Sequence, residues 1–291
     1  MFDPLQLQAL AAVLRLGSFE SAAAALHVTP SAVSQRIRAL EDRAGGIMVV
    51  RAKPCSATPL GRRVLRHAEE IERLDWELAR ELAAAAPEAR LRIAVNADSL
   101  ATWFLPALAE VDGVLFDLVI DDQDHSADWL RRGEVAGAVT GHAGPVQGCD
   151  VWALGALRYV PTASPGFMAR WFAEGVTRET LSRAPAITFD RKDRLQADWL
   201  AATFGLKSGF PSHHMASSQA FVDAALAGIG WGMNPEPLVA PHLAAGRLVA
   251  LVEAKPLDVQ LYWQASRIGT GMTAPATRAV QLIGSIAACA R

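Results

Sequence analysis

The chain has 291 residues, 51% hydrophobic and 20% charged, with a formal net charge of −2, enough for one large or two to three small domains with cores of their own. No run of about 18 uninterrupted apolar residues is available to span a bilayer, and the opening MFDPLQLQAL lacks the basic start and cleavage site of a signal peptide, so a cytoplasmic protein with no membrane role is expected. Cys55, Cys149 and Cys289 are widely separated and lack metal-ligand spacing, which excludes a disulfide framework and points to reduced, structural thiols.

In chain order, the first helix runs from about Pro4 to Leu16, capped by Asp3 and stopped by Gly17, with an apolar stripe at Leu7, Leu10, Ala11 and Leu14. Ser18 caps a short alanine-rich helix, FESAAAALHV, able to sit close against a neighbour. Thr29 then caps a third, with Pro30 at its first position. At about 100° per residue, Val33, Ile37 and Leu40 share one stripe, whereas Ser31, Ser34, Gln35 and Arg38 lie opposite. Short hydrogen-bonding groups and cations on that face suit base edges and phosphates in a DNA major groove. The tight turn before it makes the pair a helix-turn-helix. Residues 1–67 carry nine Lys and Arg against four Asp and Glu, a basic head on an acidic body.

GGIMVVRAKPCSATPLG reads as a two-stranded wing whose bend places Arg51 and Lys53 against DNA backbone or minor groove. A surface loop with incidental charge is the alternative. Thr58 and Pro59 open a helix to about Ala86, stopped by Pro87 and roughly 40 Å long. Leu60, Val64, Ala68, Ile71, Leu74, Leu78 and Leu82 form a seam at intervals of three or four, longer than the small head would cover, so dimerisation through this helix is expected.

Past Pro87 the texture becomes α/β. LRIAV, VLFDLVI, VAGAVT, ALGALRYVP, PAITF, GWGM and VQLYW are candidate strands, and Leu100–Glu110, Leu195–Phe204, Gln219–Ala227 and Thr273–Ala288 candidate helices. The expected organisation is a winged helix-turn-helix over 1–58, a linker helix over 59–88 and a two-lobed effector domain over 89–291. Lobe I takes about 89–162 and 266–291, and lobe II 163–265, with the chain crossing near Pro161–Pro165 and returning near Gln264–Ser266.

With SFESAAAALHVTPSAVSQRIRALE as its signature, this order of elements resembles the LysR-type transcriptional regulators over the whole chain. AVNADSLATW, LRRGEVAGAVT, GVTR and SSQAFV are similar to the ArgP and LysG subgroup, which activates export of basic amino acids. The resemblance implies a periplasmic-binding-protein-like effector domain, a small molecule held between its lobes, a homodimer or homotetramer on promoter DNA, RNA polymerase as a partner, and neither an enzyme nor a cofactor. DNA contacts carried over with it are Ser31, Ser34, Gln35 and Arg38, with Thr29 near the helix start and Arg51 on the wing; Arg36 is a further candidate base contact, and Lys53 is added by the wing reading. PSAVSQR stands where many relatives have QPALSRQ, and the reversed Arg and Gln order leaves the operator sequence open.

The ligand chemistry follows from the residues themselves. Asn96, Ala97, Asp98 and Ser99 join a strand to a helix start suited to a carboxylate, with Thr102 one turn on. Asp121, Asp122 and Asp124 follow a strand at the end where open α/β sheets bind ligands, and suit a cation. Ser217 and Ser218 begin another helix across the cleft, and Thr140 ends the strand VAGAVT. These groups describe L-lysine or L-arginine, although Asp residues after strands are also common turn formers. Histidine or a non-amino-acid metabolite stays open, as does an enzyme or binding protein with an appended DNA module. A metal site at Asp122, Asp124 and His125 lacks a supporting motif. His213 and His214 fall on opposite faces of a strand, and Trp103, Trp129 and Trp231 are assigned to core before ligand.

Overall fold

Capping chemistry sets the ends of the first helices in the computed structural model, which describes residues 2–81, 89–206, 209–267 and 270–289. The Asp3 side chain accepts from the Leu5 amide at 2.8 Å to open α1 (Pro4–Leu16), and left-handed Gly17 closes it. Ser18 accepts from Ser21 to open α2 (Phe19–Ala25), and Thr29 accepts from Ala32 to open α3 (Pro30–Ala44). Leu7, Leu10, Val13, Ala22, Val33, Ile37 and Leu40 form one core, while Leu14 of the expected stripe is half-buried.

The short strands β1 (Val49–Val50) and β2 (Ser56–Ala57) pair antiparallel as a wing. Two ties hold it to the head. Glu41 Oε1 accepts from the Met48 amide at 2.7 Å and the Val49 amide at 3.3 Å, and the Cys55 amide donates to Gly17 O at 2.8 Å.

α4 (Pro59–Glu81) divides its seam. Val64 and Ala68 are buried in the head's core, with Leu60 and Ile71 packed against it, so this half stabilises the N-terminal unit itself. Leu74 and Leu78 remain 56% and 54% exposed. At Gly61 an added Cβ would collide with the Met48 carbonyl, so glycine permits the helix to approach the wing's base. Leu82 and the expected stop at Ala86–Pro87 lie outside the described residues.

A second compact unit begins at residue 90. β3 (Ala89–Val95) leads into a continuous helical stretch: α5 (Ala97–Ser99), a π-helical turn (Leu100–Phe104) and α6 (Leu105–Ala109). β4 (Val114–Ile120), α7 (Ser126–Arg131), β5 (Gly137–Thr140) and the long β6 (Cys149–Ala163) follow. Next come α8 (Pro165–Trp171), α9 (Arg178–Arg183), β7 (Ala186–Thr188), α10 (Leu195–Phe204), β8 (Ser212–His214) and α11 (Ser218–Leu226). β9 (Gly232–Pro235), α12 (Glu236–Ala244), β10 (Val249–Ala250), β11 (Leu257–Ser266) and α13 (Thr270–Cys289) complete it.

The antiparallel ribbon of β6 and β11 runs through both lobes. At one end β11 adds β5, β3 and β4, with β3 and β5 parallel. At the other β6 pairs with β9 and β10, and β7 with its parallel partner β8 lies beyond β9. Lobe I pairing uses Tyr262–Ala265 of β11 and lobe II pairing uses Tyr159–Ala163 of β6, so the hand-over falls before the expected crossings at Pro161–Pro165 and Gln264–Ser266. The ribbon's register shifts between Leu261 and Tyr262, close to that hand-over. Two uninterrupted strands can serve both lobes because each strand edge takes its own neighbours. Trp263 is fully buried in lobe I and Trp199 and Trp231 are buried in lobe II, which agrees with a core role for Trp231; Trp103 is also buried. Trp129 is only partly buried, with the Arg92 and Arg132 guanidinium groups 5.7 Å and 4.7 Å from its ring centre.

Candidate functional site

Two regions gather the residues singled out in the sequence. On α3, burial of Val33, Ile37 and Leu40 turns the opposite face outward. Ser31, Gln35 and Arg38 are exposed there, and Ser34 and Arg36 are half-buried. The Thr29 hydroxyl is engaged, accepting from the Ala32 amide at 3.2 Å and lying 2.9 Å from Ser31 Oγ, so Thr29 fixes the start of the face before it can touch anything else. Arg51 and Lys53 are exposed at the wing's bend, and the Arg51 guanidinium sits 4.6 Å from the centre of the Phe19 ring. This stacking orients the cation while leaving its charge outward. Glu41, which binds the wing's amides, was legible only as the last letter of the signature.

In the second unit the carboxyl ends of β3 and β4 open onto a cavity of about 130 Å³ between the lobes. The Asp121 amide donates to Val95 O at 3.3 Å, which sets the two strand ends side by side. From lobe I the lining includes Asn96, Ala97, Asp98, Asp121 and Asp122. Ser218 lines it from lobe II, as do Asp190 and Asp193 of the loop after β7 and Asn234 of β9. Phe189, Phe221 and Met233 supply apolar wall. Five carboxylates thus line the cavity, with no Lys, Arg or His among the lining residues.

Asp98 spans the cleft. Its Oδ1 accepts from Ser218 Oγ at 2.6 Å and its Oδ2 from the Tyr159 hydroxyl at 2.9 Å. Burial pushes its carboxyl above the usual range; the two hydroxyl donors pull it back, and Asp193 and Asp122 push it further up. Burial also raises Asp122 and Asp193, with Asp124 adding to the first and Asp190 to the second. The Tyr159 hydroxyl is raised well above its ordinary value by burial and then by Asp98. Asn96 Oδ1 and Asn234 Oδ1 are buried with no hydrogen-bond partner. An apolar-floored cavity with carboxylates and free acceptors can hold a donor-rich cation.

Five of the expected effector residues do not line this cavity. Thr102 Oγ1 turns back to Asp98 O at 2.6 Å. Asp124 is exposed in the turn beyond Asp122. Thr140 accepts from Gln264 Nε2 at 3.2 Å inside lobe I. Ser217 caps α11, accepting from the Ala220 amide at 3.3 Å. Ser99, next in sequence to Asp98, is fully buried, its Oγ without a partner. In the other direction, Gln123, Phe189, Asp190, Asp193 and Asn234 were missed. FDRKDRL resembles a solvated charged turn, and its Asp side chains do build turns: Asp193 accepts from the Phe189 and Leu195 amides at 2.8 and 3.0 Å. His213 and His214 are both exposed. Among the described residues no group of three or more His, Cys, Asp or Glu is arranged to hold a metal, and no helix is long and apolar enough to cross a membrane.

Comparison with known proteins places this geometry. Residues 5–62 match the bacterial regulatory helix-turn-helix protein, lysR family, and residues 84–284 match the LysR substrate binding domain. The chain is 45% identical to the HTH-type transcriptional regulator LysG of Mycobacterium tuberculosis over 285 residues, covering 97% of this chain and 94% of the relative. Identity is likewise 45% to the HTH-type transcriptional regulator ArgP of Pseudomonas aeruginosa, covering 95% and 94%. Among solved structures, ArgP from M. tuberculosis superposes with a TM-score of 0.85 at 44% identity over 98% of both chains. Full-length LysG from Corynebacterium glutamicum with bound effector Arg gives 0.71 at 37% identity over 97% and 98%. These relatives are named as regulators of transcription, not as enzymes. The outward-facing α3, the wing and the two-lobed cavity domain are therefore the parts of a LysR-type transcriptional regulator, the family to which this chain belongs.

Proposed function

We propose that this regulator binds a basic amino acid, L-arginine or L-lysine, in the interlobe cavity and uses it to control transcription of a basic amino acid exporter. The observation that carries the reading is the lining: five carboxylates and no cationic side chain. Such a wall repels anions and leaves a neutral ligand with unused acceptors, whereas a guanidinium or ammonium supplies both charge and donors. The bound effector Arg of the C. glutamicum LysG, 37% identical to this chain, supports the same assignment. The ligand's carboxylate would meet the N-terminal amides of α5, which have no acceptor within their own helix.

On the DNA side, Ser31, Ser34, Gln35, Arg36 and Arg38 would read the major groove, with Thr29 at the helix start and Arg51 and Lys53 on phosphates or minor groove. The head at residues 1–58, the linker at 59–88 and the effector domain thereafter are the working parts of the proposal. Exposed Leu74 and Leu78 favour a homodimer, or a homotetramer built from dimers, in the cytoplasm beside RNA polymerase.

Thermal-shift measurement of the purified chain against the twenty amino acids tests the effector. Arginine or lysine at about 100 times Kd should stabilise the protein by about 2.7 kcal/mol. Shifts given only by neutral or acidic compounds would refute the assignment.

A further inference from the structure

The cavity brings acids from opposite lobes into one small volume, and the role inferred for them rests on the cationic-effector reading. Asp98 stands at the start of α5, Asp121 and Asp122 in the loop after β4, and Asp190 and Asp193 in the loop after β7. Tyr159 of β6 faces Asp98 through its hydroxyl. Outside the lining, Asp124 and His125 are exposed in the turn next to Asp122, and Arg191, Lys192 and Arg194 are exposed on the lobe II loop, Arg194 paired with Asp198 at 3.1 Å. No cation therefore neutralises the cluster from within the cavity. Two buried acceptors on opposing walls, Asn96 Oδ1 and Asn234 Oδ1, also lack donors. Asp122 and Asp193 raise the proton affinity of Asp98, Asp193 raises that of Asp122, and Asp98 raises that of the Tyr159 hydroxyl. Like charges so placed cannot all ionise without a counter-ion.

We infer that a basic effector enters this cavity in exchange for a proton shared by Asp98, Asp122 and Asp193 when the cavity is empty. The proton leaves to solvent, and the effector's fixed positive charge takes its place. Arginine is the suitable probe. Its guanidinium stays charged throughout, and its α-ammonium titrates at roughly pH 8 or above, so exchange at acidic pH belongs to the protein.

Isothermal titration of the full chain with L-arginine, in two buffers of different ionisation enthalpy, reads the exchange directly. Protons should be released on arginine binding at acidic pH, where the empty cavity holds them, and the release should fall toward zero as the pH is raised, with affinity rising through the same range; a release of about 0.5 proton corresponds to affinity rising about threefold per pH unit. Asp122→Asn and Asp193→Asn should each reduce the release, whereas His125→Gln should leave it unchanged. Binding with no buffer dependence anywhere between about pH 4 and 7, or undiminished release in both Asp variants, would overturn the exchange while leaving the effector reading intact. Loss of release in His125→Gln would overturn the assignment to the carboxylates. Absence of binding at every pH by both arginine and, in the same titration, L-lysine would overturn the exchange and the effector reading together.

Discussion

Asp122 shows how one side chain serves two demands. Its Oδ1 accepts from the Asp124 amide at 2.8 Å, an Asx turn that asparagine would also form, while its charge faces a cavity shared with other acids. Because burial raises its folded pKa above the unfolded value, the folded state holds more protons between those two pH values, and stability falls as pH rises through that window. Asp122→Asn keeps the turn and removes the charge. It should therefore raise the melting temperature of the ligand-free protein by about 2 °C at neutral pH, have no such effect near pH 4, and weaken arginine binding. A variant equally shifted at both pH values would place the effect in the turn instead of the charge. Sequence reading found Asp98, Asp121 and Asp122 because they follow strands and precede helices. It missed Asp193 and Asn234, whose relevance depends on lobe II folding back over lobe I, a juxtaposition with no local signature.

Elements with strong end signals were legible and those without were not. α1 and α10 begin and end as expected, and α3 begins as expected, since a cap residue, a proline at the first position or a terminal glycine fixes the chain locally. α12 was missed because Pro237 and Pro241 both fall within it, and α8 and α9 because six or seven residues carry too little periodicity. For α3 and the wing, the division of surface predicts a division of effect. Gln35→Ala should change which base is preferred at one operator position, at a cost of about 1–3 kcal/mol. Arg51→Ala should weaken operator and random DNA alike and reduce the salt slope by about 1. Binding isotherms on operator, single-base variants and random duplex, each at several salt concentrations, distinguish them. Equal losses on every duplex for both variants would remove α3 from sequence reading.

At the scale of the molecule, α4 assigns its two halves different tasks. Leu60, Val64, Ala68 and Ile71 complete the head's core, so polar substitutions at these positions should unfold the DNA-reading unit. Leu74 and Leu78, 56% and 54% exposed and outside the head's core, should act on assembly. Burying a leucine is worth about 1.5–3 kcal/mol, and a two-fold seam buries each side chain twice, which makes these positions decisive for association. Leu74→Glu combined with Leu78→Glu should leave the far-ultraviolet spectrum and the monomer's folding stability within about 0.5 kcal/mol, because exposed positions tolerate substitution. The same variant should shift the mass measured by light scattering at micromolar concentration to that of a single chain. Salt should not reproduce the effect, since an apolar seam is not screened. Loss of the pairing should also cost roughly 100-fold on a two-fold operator while sparing a single half-site, because two linked heads bind with an effective concentration that separated heads lack. An assembled variant with native operator affinity would move the subunit contact off this helix.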